Sequence, residues 1–296
     1  MPSRVPALLI VLGVLGVLAS PLLAGYSGRD LFIPVVGRGP GADGRTFGTT
    51  LWLTNVSRRD AAVTLTFLTT RDGKPQQHVS HLELGPAETK LIEELGAETF
   101  GVAEAKGALR VQSDRELLAN ARLSSRMPNE TNAREVGMAC AGIPAEFAIG
   151  PSDAATMQGI ALGDYRTKLY LVETTGRPIG FSIALLDTRG RELRRRLAYL
   201  AGFEHRIVNV HDLFPDVALA RGIVRLTGVN GNGRLIAGGA QITTGTADGT
   251  FFEMSMETKP RWRMPRVEIA VYVLVAIAVL GAAIRTRSTK GLGAEQ

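Results

Sequence analysis

The sequence predicts an all-β chain: two tandem β-sandwich domains followed by a C-terminal transmembrane helix. Three observations predict it. Short apolar runs alternate with period two between turn residues, similar segments recur about 118 residues apart, and two long apolar stretches lie toward the ends of the chain. Composition agrees. The 296 residues are 45% hydrophobic and 21% charged, which excludes a disordered polyelectrolyte. Nothing between the terminal stretches approaches the roughly 18 continuous apolar residues a membrane span needs, which excludes a polytopic transporter.

Residues 1–28 read as a signal peptide or signal anchor. Arg4 supplies the positive n-region, Val5 to Leu18 is almost wholly apolar, and Ala19, Ser20, Ala24 and Gly25 are the small residues expected near a processing site. No clean A-x-A precedes a cleavage point, so a cleaved peptide and an uncleaved anchor both stay open. Either places the middle of the chain outside the cytoplasm.

Residues 29–145 and 146–258 read as repeats 1 and 2. Thr50-Leu51-Trp52-Leu53-Thr54 recurs as Lys168-Leu169-Tyr170-Leu171-Val172, and Val63 to Leu68 recurs as Phe181 to Leu186, at the same offset. Gly107 to Val111 answers Gly222 to Leu226 after a three-residue slip, and Leu118 to Ser125 answers Ala237 to Thr244. Within repeat 1, Val63, Leu65, Phe67, Leu109 and Val111 occupy alternate positions and form one apolar sheet face; Phe181, Ile183, Leu185, Val224 and Leu226 do so in repeat 2. Arg71-Asp72-Gly73-Lys74, Gly85-Pro86 and Thr188-Arg189-Gly190 mark turns, and Asn230-Gly231-Asn232-Gly233 reads as a hairpin connector. Short helices fit only Thr89 to Phe100 and Val210 to Ala220, where the chain would cross between sheets.

Residues 259–266 form a basic juxtamembrane segment with Lys259, Arg261, Arg263 and Arg266, suited to anionic headgroups. Residues 267–284 read as a transmembrane helix, free of charge from Ile269 onward. Residues 285–296, with Arg285, Arg287 and Lys290, form a cytoplasmic tail. Basic residues flank the helix on both sides, so the export signal sets the orientation. A second cluster, Arg191, Arg194, Arg195 and Arg196, reads as a charged strand edge that blocks unwanted pairing; without interleaved aromatics it does not predict nucleic-acid binding.

The search for chemistry finds little. Cys140 stands alone among apolar neighbours and reads as a buried hydrophobe. His78 and His81, three apart on a strand, point to opposite faces, while His205 and His211 read as turn or surface residues. Glu93 and Glu94 read as solvated carboxylates. No nucleophile elbow, phosphate loop or dinucleotide fingerprint is present. The prediction is therefore no enzyme, no cofactor and no metal. Asn55-Val56-Ser57 and Asn129-Glu130-Thr131 fit the glycosylation sequon incidentally. Trp52 and Tyr170, at equivalent positions beside core leucines, are candidate interface residues.

Phe32-Ile33-Pro34-Val35-Val36-Gly37-Arg38-Gly39-Pro40-Gly41, followed by Thr50-Leu51-Trp52-Leu53-Thr54-Asn55, resembles the opening of a family of exported bacterial immunoglobulin-like β-sandwich repeats. Those repeats begin with a "FIP" strand, a Gly-rich turn and a "T-x-L-x-L-x-N" strand. Ile143-Pro144-Ala145 and Arg166 to Leu171 resemble the pattern more loosely, lacking the Asn and the Gly-rich turn. The resemblance covers roughly residues 30 to 255. It implies an envelope module and brings no catalytic residues.

Two functional expectations follow. The first is a membrane-anchored exoplasmic protein, periplasmic or at the cell surface, with a structural, adhesive or binding role. The second is an accessory single-pass subunit of a multi-protein membrane complex. The expected partners are membrane lipid through the C-terminal helix and a protein of the envelope or membrane, with no nucleic acid.

Overall fold

Alternating apolar residues commit the chain to pleated strands, and in the computed structural model, which describes residues 26–41, 44–102, 104–126, 136–244 and 249–257, those strands build an all-β fold. Nearly all of the predicted export signal, and all of segments 259–266, 267–284 and 285–296, lie outside the described residues. No helix among the described residues is long and apolar enough to cross a membrane.

The first half forms one eight-stranded antiparallel sheet system from β1 (Ser27–Pro40), β2 (Thr46–Asn55), β3 (Ala61–Arg71), β4 (Lys74–Leu84), β5 (Thr89–Ile92), β6 (Ala105–Arg126), β7 (Val136–Ala141) and β8 (Ile143–Pro144). Strand β6 ties it together. Its first part pairs with β3 and β1, with Val111 opposite Leu65 and Leu31; its second part pairs with β2 and β7, with Ala121 opposite Leu51 and Cys140. Two orders result, β4-β3-β6-β1-β8 and β5-β2-β6-β7.

The second half comprises β9 (Ala154–Ile160), β10 (Tyr165–Glu173), β11 (Ile179–Asp187), β12 (Glu192–Leu200), β13 (His205–Asn209), the helical turn α1 (Val210–Leu213), β14 (Gly222–Gly231), β15 (Leu235–Thr243), β16 (Gly249–Glu253) and β17 (Ser255–Met256). Its two sheets run β12-β11-β14-β9-β17 and β13-β10-β15-β16, so each strand has a counterpart in the orders above. The difference is the crossing. One continuous strand, β6, makes it in the first half, whereas β14 and β15 make it in the second.

That difference corrects the reading of Asn230-Gly231-Asn232-Gly233 as a hairpin connector. Strand β14 pairs with β11 and β9, while β15 pairs with β10 and β16, so this turn carries the chain from one sheet to the other. Turn residues specify a local reversal and say nothing about which strands pair afterwards. The two predicted helical crossings reduce to one wide turn at Leu95–Thr99 and to α1, with Thr89–Ile92 extended as β5.

The apolar positions named from the sequence are all buried: Val63, Leu65, Phe67, Leu109 and Val111 in one half, Phe181, Ile183, Leu185, Val224 and Leu226 in the other. The second face of several strands is also covered. Phe32, Leu68 and Ala108 point away from the first core and into the second, while Tyr170 and Ala240 enter the first core. Strand β1 is therefore buried without interruption from Leu31 to Gly37. Strand β12 lies at a sheet edge and exposes Arg194, Arg195 and Arg196, as expected of the arginine cluster.

His205 departs from expectation. It is buried on β13, its Nε2 lies 3.1 Å from the Pro34 carbonyl, and its own carbonyl accepts the Thr70 hydroxyl at 2.7 Å. The neighbours that bury it come from the other half, more than a hundred residues away, so local composition carried no sign of them.

Two buried polar side chains organise the loops. At the end of β2, the Asn55 amide donates to the carbonyls of Arg59 (2.7 Å), Leu84 (3.2 Å) and Gly85 (2.9 Å), and its oxygen accepts the Ser57 amide at 2.9 Å. The amide nitrogen is thus engaged within the fold. At the end of β10 stands Glu173, whose carboxylate accepts the amides of Thr175 (2.8 Å), Gly176 (2.7 Å), Phe203 (2.9 Å) and Arg234 (3.0 Å) and the Thr175 hydroxyl (2.6 Å). The two clamps have opposite polarity. Asn55 chiefly donates to carbonyls, and Glu173 only accepts, which is why the second segment lacks the Asn of the first.

Two predictions follow from these contacts. Phe67→Ala and Phe181→Ala should each cost about 3 to 5 kcal/mol in urea unfolding, and near-wild-type midpoints would contradict the core assignment. Asn55→Asp should destabilise by about 3 kcal/mol, at least as much as Asn55→Ala, because a carboxylate offers three carbonyls no donor; a tolerated Asp would refute the clamp.

Candidate binding cleft

Strand β10 has two faces with different fates. Thr167, Leu169 and Leu171 are buried, and both leucines join the core of their own half. Arg166, Lys168 and Tyr170 alternate with them and point outward, toward the first half. Tyr170 is 3% exposed and stacks on Phe251 at 6.4 Å between ring centroids. Burial pushes its phenol well above the ordinary range. Beyond Tyr170 on this face, Lys168 and Arg166 are partly buried and border a space between the two halves.

That space is a cleft of about 360 Å³ lined by both halves. The first half contributes Val35 and Val36 of β1, Arg45 and Phe47 before and on β2, Lys106, and the Leu123 to Ser125 stretch of β6. The second contributes Arg166, Lys168, Tyr170, Ile207 and Ile242. Four cations line it with no Asp or Glu among the described lining residues.

Each cation's surroundings can be traced. Lys106 lies with its ammonium 4.7 Å from the centroid of the Phe47 ring and 3.5 Å from the Pro40 carbonyl. Arg45 closes a tight turn in which its carbonyl accepts the Gly41 amide at 2.7 Å. The Nε of Arg166 is buried and has no hydrogen-bond partner. The Lys168 ammonium is held below its usual range, first by burial and then by repulsion from Lys106 and Arg166. None of the four forms an ion pair among the described residues, whereas Arg110, Arg206 and Arg234 pair with Asp30, Glu204 and Asp153. Desolvated like charges facing one another are unfavourable until an anion joins them.

The sequence-named interface pair is not brought together. Tyr170 lines the cleft, but Trp52 is 36% exposed on the uncovered face of β2, opposite Leu91 and Asn120. Their positions correspond along the chain, yet only β10 has the other half packed against that face. The cleft cations were missed because alternation of Arg166 and Lys168 with apolar residues is also the pattern of an ordinary solvated strand face. The membrane-flanking residues Lys259, Arg261, Arg263, Arg266, Arg285, Arg287 and Lys290 lie outside the described residues.

Other candidates sit apart. Cys140 is buried, and burial raises its thiol, with the nearby Glu253 adding to the rise. His81 Nδ1 lies 3.1 Å from the Thr64 hydroxyl, while His78 turns to Thr69 and the Phe67 ring, so the two diverge as their spacing predicts. Glu94 pairs with Arg38 at 3.0 Å. Among the described residues no group of three or more His, Cys, Asp or Glu side chains could hold a metal ion. The arrangement in the cleft offers charge and apolar surface, which suits binding.

No protein-family model matches the chain, and no curated protein does. Among solved structures, Thermotoga maritima 1070 is similar over 41% of this chain and 96% of its own, at 20% identity and a TM-score of 0.31. A protein from Parabacteroides distasonis described as a "putative secreted protein" is similar over 81% of this chain and 93% of its own, at 10% identity and a TM-score of 0.20. At these TM-scores neither likeness carries an argument.

His205 generates a pH prediction. Its Nε2 must carry the proton that the Pro34 carbonyl accepts, and burial holds the ring neutral down to about 4, the hydrogen bond offsetting only part of that shift. An unfolded imidazole gains its proton near pH 6.5, so stability is full above that pH and falls as the pH drops toward 4, by about 3 kcal/mol in all. His205→Gln, which can still donate to Pro34, should flatten this loss when urea midpoints at pH 7 and pH 5 are compared; an unchanged difference would exclude His205 as its source.

Proposed function

We propose that this chain is a membrane-anchored exoplasmic protein with a binding role, built from two copies of one immunoglobulin-like β-sandwich at residues 29–145 and 146–258 and related to the exported bacterial repeats it resembles. The single observation behind the binding role is the cleft, where cations and apolar side chains from both halves converge without a carboxylate among the described lining residues. The repeat reading draws on the shared strand order and on the correspondence of β2 with β10 and β3 with β11 at a common offset. Anchoring draws on the apolar run at 267–284 and its basic flanks, and export on Arg4 and the apolar stretch after it. A protein partner in the envelope remains part of the proposal, and the exposed Leu197 and Tyr199 on edge strand β12 favour one.

Reporter fusions test the topology. Alkaline phosphatase fused after Thr258 should be active, because it folds only in an oxidising compartment, and green fluorescent protein fused after Gln296 should fluoresce. The reverse pair would place the folded region in the cytoplasm and overturn the proposal. Gentle detergent extraction and native sizing should give a small particle; a stable large one would instead favour the accessory-subunit reading.

A further inference from the structure

The four cleft cations converge on one partly buried space whose described lining offers them no carboxylate. Part-buried Arg110, by contrast, meets Asp30 in a two-pronged contact at 2.8 and 2.6 Å. In the cleft, Arg166 and Lys168 lie two residues apart on one face of β10, and Lys106 approaches from β6. A strand spaces such side chains about 7 Å apart, close enough for one oxyanion to contact both. The buried Arg166 Nε still needs an acceptor, and leaving such a donor unpaired is costly. Guanidinium and ammonium groups together meet a phosphate or carboxylate well, the first through its fork and the second as a point charge.

The remaining lining sets the other half of the specificity. Ile207 and Ile242, partly exposed and paired across from Tyr170 and Arg166, offer apolar surface next to the charges. The volume is near the lower bound of small-molecule sites, which range from about 300 to 1,000 Å³. A nucleic-acid strand would want exposed aromatic platforms along an open groove, whereas Tyr170 is buried against Phe251.

Resting on the reading of the cleft as a binding site, we propose that it takes a small amphipathic anion, with a phosphate or carboxylate group held by Arg166, Lys168 and Lys106 and an apolar body laid against Ile207 and Ile242. The ligand's charge replaces the missing counter-ion, and its apolar part displaces water from the β10 face. Discrimination then comes from needing both parts at once.

Calorimetric titration of the full chain in a neutral detergent tests this, with phenyl phosphate and benzoate as the two oxyanion probes and phenol and inorganic phosphate as the separated halves. At least one oxyanion probe should bind saturably, about tenfold or more tighter than either half, and the stronger of the two identifies the preferred headgroup. The double variant Arg166→Gln with Lys168→Gln should weaken it about tenfold or more without lowering the melting temperature, while Arg189→Gln, on an exposed turn, should leave it unchanged. Raising salt from about 0.05 to about 0.5 M should weaken the oxyanion probe and spare phenol, a readout on the unaltered chain that does not depend on any variant folding. No saturable binding of either probe, phenol binding as tightly as phenyl phosphate, inorganic phosphate binding as tightly as either probe, or salt-independent affinity would each overturn the proposal. The reporter fusions report on topology alone, so a failed ligand class and a failed topology are told apart.

Discussion

The sheet β13-β10-β15-β16 carries apolar side chains on both faces, and the rest of the structure follows from having to cover the second one. Leu169 and Leu171 pack into their own half, while Tyr170 and Ala240 look the other way. Water cannot satisfy that outer face, and each buried large side chain contributes roughly 1.5 to 3 kcal/mol when covered. The first half supplies the cover. In return it sends Phe32, Leu68 and Ala108 into the second core, so neither core is complete alone. Strand β1, caught between them, has no solvent face from Leu31 to Gly37.

Polar groups then determine how the loops close around this apolar joint. Asn55 and Glu173 end their strands in buried positions, where every hydrogen bond forgone would cost more than it does in water. Each is matched to its loop by polarity, a donor to carbonyls in one case and an acceptor to amides in the other. His205 is the third such group and spans the joint itself, reaching from β13 to the Pro34 carbonyl on β1. It makes the contact between halves depend on a neutral imidazole.

The cleft is the other consequence of the joint. Beyond Tyr170 on the outer face of β10, Lys168 and Arg166 are partly buried and border the space between the halves. A net charge of +6 spread over 34 basic and 28 acidic residues would not by itself suggest an anion site. The local arrangement does, because four cations converge on one partly buried cleft and no carboxylate lines it among the described residues. Binding chemistry here comes from where the packing ends.

The amino-acid sequence by itself determined the strands, their inward faces and the charged edge at β12, because all of these depend on a period of two and on the cost of burying charge, both local properties. Period two says which side chains point apart. It cannot say what stands on either side, and that was decided by tertiary structure. Trp52 and Tyr170 occupy corresponding places in similar segments, yet one is solvated and the other buried, since only β10 has the first half against its outer face. His205 reads as a surface residue until residues more than a hundred positions away close over it. Asn230 to Gly233 announces a reversal, but pairing of β14 and β15 with different neighbours makes it a passage between sheets. The cleft was invisible for the same reason: alternating Arg166 and Lys168 look like any wetted strand face, and only contacts between distant parts of the chain withdraw the water and leave the charges facing one another.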